Sequence, residues 1–154
     1  MGLRFIYRYI QKRVLHKYIG TLTIDKINTL DGFDFEELLY YIFFSLGYKV
    51  TKTQKTRDFG ADLMLTHKGK NIVIQSKMYY GHSVGNSAVQ EISTAKNFYM
   101  ADMGIVITNS VFTKPAKTLA EVVGVKLLDK DWLIKMINAD KYEQKALIDE
   151  LFVI

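Results

Sequence analysis

The stretch Thr56-Arg57-Asp58-Phe59-Gly60-Ala61-Asp62, followed by the run Asn71-Ile72-Val73-Ile74-Gln75-Ser76-Lys77, decides how this chain folds. Between them lie Leu63-Met64-Leu65-Thr66 and then His67-Lys68-Gly69-Lys70. Two short apolar runs separated by a break that contains glycine predict a β-hairpin. Strand side chains repeat every second residue, so Gln75 and Lys77 project from one face. Asp62 opens the partner strand, where it can stand across from them. An acid, an amide and an ammonium then converge on an otherwise apolar hairpin. Burying an uncompensated polar group costs about 2–7 kcal/mol, and a charge more, so a functional site is the simplest explanation of the pattern.

Upstream of the hairpin, Phe35, Leu38, Leu39, Ile42, Phe43 and Leu46 recur at helical spacing, and Gly47 supplies a stop, which predicts a helix over 31–46. Asp34 and Glu37 have capping-box spacing at its start. At about 100° per residue, Glu37 points away from the apolar stripe towards water, whereas Glu36 lies on the stripe's flank, aimed at whatever the helix covers. Tyr48 to Thr53 alternates as a strand with one wet face, and Gly60 lets the backbone turn tightly before Asp62. Downstream, the pattern predicts a helix over 87–100, a buried strand over 103–108 and a helix over 113–123 with Pro115 in its first turn. A strand over 125–128, a helix capped by Asp129 and a last helix over 141–152 complete the chain. Strands separated by helices after Gln75 imply crossovers onto a mixed central sheet flanked by helices, an α/β domain in two or three layers.

Composition narrows the function classes. The chain has 154 residues, 49% of them hydrophobic, with one proline and no cysteine. It reads as one folded domain without disulfides or thiolate metal sites, suited to a reducing, cytoplasmic setting. Its longest apolar run, Leu38 to Leu46, is far short of the ~20 residues a membrane-spanning helix needs, so no integral membrane segment is expected. The net charge of +5 sits entirely in residues 1–30, where Arg4, Arg8, Lys12, Arg13, Lys17 and Lys26 face Asp25 alone. Residues 1–30 therefore read as a basic amino-terminal helix or arm plus a connector, with a short strand at 22–27, ahead of an α/β domain over 31–154. Such an arm can pack on the domain or a second subunit, contact phosphates, or lie on a membrane surface.

Glu36, Asp58, Asp62, Gln75 and Lys77 form the candidate constellation. Asp62 and Glu36 are hard oxygen donors, and Gln75 adds a neutral carbonyl oxygen. That donor set suits Mg2+ or Mn2+, which keep several waters and borrow ligands from a substrate phosphate. Lys77 beside it could orient a water or offset charge on phosphorus oxygens. The pattern is that of phosphodiester hydrolysis. Thr108 and Asn109, at the end of the buried strand, are candidates for holding a phosphate.

On these residues the chain resembles the Mrr-type restriction endonucleases of the PD-(D/E)xK nuclease superfamily. The resemblance runs from Asp31 to Ile137. It is carried by Phe35-Glu36 ahead of Gly47-Tyr48, by Asp58-Phe59-Gly60-Ala61-Asp62 and by Val73-Ile74-Gln75-Ser76-Lys77. Val84-Gly85, Gly104-Ile105-Val106-Ile107-Thr108-Asn109 with Phe112-Thr113, and Leu127-Leu128-Asp129 extend it. The resemblance implies a restriction-endonuclease-like core and a metal-dependent nuclease acting on DNA. It implies the metal acid at Asp62, the glutamine–lysine pair at Gln75 and Lys77, the helix glutamate at Glu36 and an accessory acid at Asp58. Many superfamily members carry an acid where Gln75 stands, so metal binding without DNA phosphates should be weaker here. Cleavage of both strands would favour a homodimer. The alternative reading is a non-catalytic nucleic-acid-binding module that retains the fold.

Overall fold

In a computed structural model, which describes residues 17–54 and 59–154, the hairpin forms where the alternation places it. Strand β2 (Leu63–His67) pairs antiparallel with β3 (Lys70–Lys77), Leu63 opposite Ile74 and Leu65 opposite Ile72. Lys68 and Gly69, both at positive φ, make the turn. Strand β1 (Lys49–Lys52) adds antiparallel to β2 on the outer side. On the inner side β4 (Met103–Thr108) runs parallel to β3, and β5 (Val125–Leu128) runs parallel to β4. The sheet order is thus β1-β2-β3-β4-β5.

Helices cover both faces. Ahead of the sheet come α1 (Ile24–Ile27) and α2 (Gly32–Ser45). The crossover from β3 to β4 is α3 (Asn86–Phe98), and that from β4 to β5 is α4 (Lys114–Val123). The chain ends with α5 (Lys130–Asn138), α6 (Lys141–Asp149) and a 3-10 turn, Glu150–Phe152. One core joins Phe35, Leu39, Ile42 and Phe43 of α2 to Leu63, Leu65, Ile72, Ile74, Ile105 and Ile107 of the sheet. A second, on the opposite face, joins Ala88, Val89, Ile92 and Ala95 of α3 and Ala116 and Ala120 of α4 to Val73 and Val106. Strand β3 lies between the two, buried on both sides from Ile72 to Gln75. The result is the mixed α/β sandwich that the sequence pattern implies, in three layers.

Several local expectations are corrected. Within 22–27, where a strand was expected, Ile24–Ile27 is a helical turn, because the Thr23 side chain caps it by accepting the N–H of Lys26. The connector also packs: Ile19, Leu22 and Ile27 are buried in the same core as the apolar face of α2. Helix α2 is capped by Asp31, whose carboxylate accepts the N–H of Asp34, so the expected Asp34–Glu37 box is displaced by one turn. The true capping box is Asp140 with Glu143 at the head of α6. Glu37 is not solvated; it pairs with Lys52 of β1, with its side chain 19% exposed. Arg4, Arg8, Lys12, Arg13 and Asp58 lie outside the described residues. Among the described residues no helix is long and apolar enough to cross a membrane.

Candidate active site at the end of strand β3

The alternation along β3 puts Ile72 and Ile74 into the α2 core and Val73 into the α3 core. Gln75 and Lys77 continue the Val73 row and so face α3. Gln75 is only 5% exposed. Its Nε2 donates to Oε2 of Glu91, the second turn of α3, at 2.5 Å. Nζ of Lys77 lies 3.1 Å from that same oxygen. One carboxylate therefore ties both members of the Gln75-x-Lys77 pair to the helix that follows them. The Lys77–Glu91 pair is partly solvated, with side chains 23% and 46% exposed, so its own contribution to stability is about 0–1 kcal/mol and its main effect is geometric.

The other end of the Gln75 amide is unlike the first. Oε1 is buried and has no hydrogen-bond partner among the described residues. An unpaired buried acceptor costs about 1–3 kcal/mol, and such atoms in native proteins call for an explanation.

Asp62 sits immediately before β2. Its N–H donates to the Ile74 carbonyl at 2.8 Å, which holds the residue on the edge of β3. Its Oδ2 accepts from the Ser76 N–H at 2.7 Å and from the Ser76 Oγ at 3.0 Å. Asp62 was expected to stand across from Gln75 and Lys77; it docks its carboxylate on the residue between them. Ser76 is thus part of the site, although nothing in its type distinguishes it in the sequence.

The loop before Asp62 is seated on α3. Phe59 and Gly60 have φ values of 46° and 90°, a conformation that a non-glycine residue such as Phe59 adopts only with support. The Phe59 ring stacks on Phe98 with centroids 3.8 Å apart. Gly60 lies so close to the helix that a β-carbon there would stand 2.8 Å from the backbone oxygen of Glu91. Thr53 Oγ1 donates to the Ala61 carbonyl at 2.5 Å and to the Asp62 carbonyl at 3.1 Å, tying the loop to the end of β1.

The remaining candidates have different surroundings. Glu36 is half-buried on α2, whose core face packs against the sheet surface opposite α3. Among the described residues no three acidic or histidine side chains come close enough together to hold a metal ion. Ser76 joins Asp62 to the strand that carries Gln75 and Lys77, and Glu91 joins those two to each other. Thr108 is fully buried, and its Oγ1 accepts the Ser110 N–H at 3.1 Å. Asn109, 7% exposed, accepts from the Tyr79 N–H and donates to the Tyr79 carbonyl, both at 2.8 Å, and also donates to Asn28 Oδ1 at 3.1 Å. Asn109 fixes the chain as it leaves β3 and Thr108 fixes it as it leaves β4, beside a cavity of about 360 Å³ lined by Tyr79, Tyr80, Asn28 and Lys130. Lys17 is exposed near the start of the described chain.

Glu91 is the site residue that sequence reasoning missed. A signal existed: it lies three residues after Ala88 and four before Ala95, an acid in the row of small residues that α3 turns inwards.

Hydrogen bonds to a buried amide, a docked carboxylate and a held ammonium at one strand end form an arrangement able to bind a cation beside an anion. Comparison with known proteins agrees with the fold and extends it. A family model described as a restriction endonuclease, the Mrr catalytic type, matches residues 27–137. No curated protein matches the sequence. Among solved structures, the DNA modification-dependent restriction endonuclease AspBHI superposes with a TM-score of 0.56 at 16% identity, over 91% of this chain and 39% of its own. A protein of unknown function, AF1548, superposes with a TM-score of 0.55 at 15% identity, over 63% of this chain and 57% of its own. The chain thus spans well under two thirds of either of these structures.

Proposed function

The chain belongs to the restriction endonuclease family, in its Mrr-type catalytic branch, and from that membership we propose that it is a divalent-metal-dependent endonuclease that hydrolyses phosphodiester bonds of DNA. The observation that carries this reading is the buried Oε1 of Gln75, which has no hydrogen-bond partner among the described residues, together with the Asp62 carboxylate docked on the adjacent residue, Ser76. A neutral carbonyl oxygen and a carboxylate are the hard donors that Mg2+ or Mn2+ takes, with waters and substrate phosphate completing the shell. Asp62 and Gln75 would hold the ion, with Glu36 as the further acid that the family resemblance implies. When bound, the ion polarises a phosphoryl oxygen and lowers the pKa of an adjacent water.

The chain's own residues do the rest. Ser76 fixes the Asp62 carboxylate through two hydrogen bonds, so that its position does not depend on the substrate. Lys77, held by Glu91 at the rim of the site, presents an ammonium that offsets negative charge growing on the phosphate oxygens and orients the attacking water. The basic segment containing Arg4, Arg8, Lys12, Arg13 and Lys17 supplies sequence-independent phosphate contacts. Pairing of two chains would bring a second site to the opposite strand.

The test is cleavage of supercoiled plasmid, branched DNA and single-stranded DNA with Mg2+ or Mn2+, with Asp62→Ala and Lys77→Ala as comparisons. The reading expects metal-dependent cutting by the wild type alone. Equal cutting by all three proteins would assign the activity to a contaminant. Salt-sensitive binding with no turnover would leave a DNA-binding module.

A further inference from the structure

The glutamine of this site meets a carboxylate that no sequence pattern assigned. A carboxylate accepts hydrogen bonds and cannot donate them, while an amide has one donating and one accepting end. Glu91 Oε2, at 2.5 Å, therefore fixes which way the Gln75 amide turns: nitrogen towards α3, oxygen away from it. The oxygen so directed is the buried one that lacks a partner among the described residues. The same Oε2 holds Lys77 at 3.1 Å, and the backbone of Glu91 is the surface against which Gly60 seats the loop leading to Asp62. One residue of α3 thus meets three parts of the site: the amide, the ammonium and the loop that delivers the acid.

We propose that Glu91 is the positioning residue of this site: it orients and polarises the Gln75 amide so that Oε1 faces the divalent cation, and it supplies from one layer back the negative charge that a glutamine in this place does not carry. The proposal rests on the hydrolytic reading above. Hydrogen bonding of an amide N–H to a carboxylate shifts electron density towards the amide oxygen and makes it a better ligand for a hard cation. Outer carboxylates that orient a ligand in this way change metal affinity by about 10–100-fold when removed.

The test is Mn2+ affinity of the intact chain, measured by calorimetry without DNA, together with the Mn2+ dependence of cleavage. Glu91→Gln keeps the side chain's shape at a site that is 46% exposed, so folding should be retained, which a thermal melt checks. It is expected to weaken Mn2+ binding about 10–100-fold and to raise the Mn2+ concentration needed for cleavage. Glu91→Asp should lose less. The decisive variant is the exchange, Gln75→Glu together with Glu91→Gln, which places the carboxylate next to the ion and the amide behind it. Its Mn2+ affinity should return to within a few-fold of wild type, whereas Gln75→Glu alone sets two carboxylates against each other and should bind less tightly than the exchange. A role limited to holding α3 or the Gly60 loop would not produce that recovery. Wild-type affinity in Glu91→Gln, or an exchange no tighter than Glu91→Gln, overturns the proposal and leaves the nuclease reading standing. A wild-type chain that neither binds Mn2+ nor cleaves overturns both.

Discussion

The two faces of β3 are built from one run of backbone and obey different rules. Towards α2, Ile72 and Ile74 are fully buried in a cluster with Leu63, Leu65, Phe35, Leu39 and Ile107. Towards α3, Val73 gives way to Gln75 and then Lys77, and the packing of small residues in α3 opens into a cluster held by one carboxylate. The α2 face of the strand is lined by apolar side chains. The α3 face leaves a buried acceptor over. The difference separates what the strand does for stability from what it does for chemistry, and substitutions should separate them too.

The largest effect is expected on the α3 face and in activity. Lys77→Ala and Asp62→Ala should each lower the rate of Mn2+-supported cleavage by about 100-fold or more, with a shift in melting temperature of only a few degrees. Comparable activity with a large stability loss would erase the distinction between the faces. On the other face, Ile74→Ala should cost about 2–5 kcal/mol of stability, read from urea unfolding, and leave cleavage by the folded fraction intact.

Between these lies Gly60→Ala. It forces a side chain onto a φ of 90° and into the backbone of Glu91, so it should cost about 1 kcal/mol or more and weaken Mn2+ binding by shifting both Asp62 and Glu91. A variant that loses stability but keeps its Mn2+ affinity would show that the loop and the helix do not form one unit. The smallest effect concerns Tyr48, whose ring is buried and whose hydroxyl donates to Asp149 at 2.5 Å. Burial, reinforced by that carboxylate, raises the phenol above its ordinary value of 10.0. The unfolded chain then loses its proton first, so this contribution to stability is present below pH ~10 and declines above it. Tyr48→Phe should flatten that alkaline decline without touching cleavage.

How far the sequence could be read follows the same division. The hairpin and α2 were legible from their apolar periods, and β4 and β5 from short apolar runs set between helical patterns. Asp62, Gln75 and Lys77 were legible because polar residues interrupt an apolar hairpin. The helical turn at Ile24–Ile27 was not, since a four-residue element is decided by the Thr23 cap and by burial of Ile27 in the core, and not by periodicity. Asp31 was passed over as a cap because Asp34 and Glu37 offered an equally good spacing. Glu91 left only its place in a row of small residues as a signal, and Ser76 none, because their roles exist only once α3 folds back over β3 and the 59–62 loop closes on it: the contacts join residues that are 14–16 positions apart along the chain.

The most direct test of the central claim is a crystal of the wild-type chain grown or soaked with Mn2+ and measured at the manganese edge. The account predicts an anomalous peak within coordination distance of both the Asp62 carboxylate and Gln75 Oε1, with Gln75 Nε2 still on Glu91. A peak elsewhere, or a Gln75 amide turned with its nitrogen towards the metal, would contradict it.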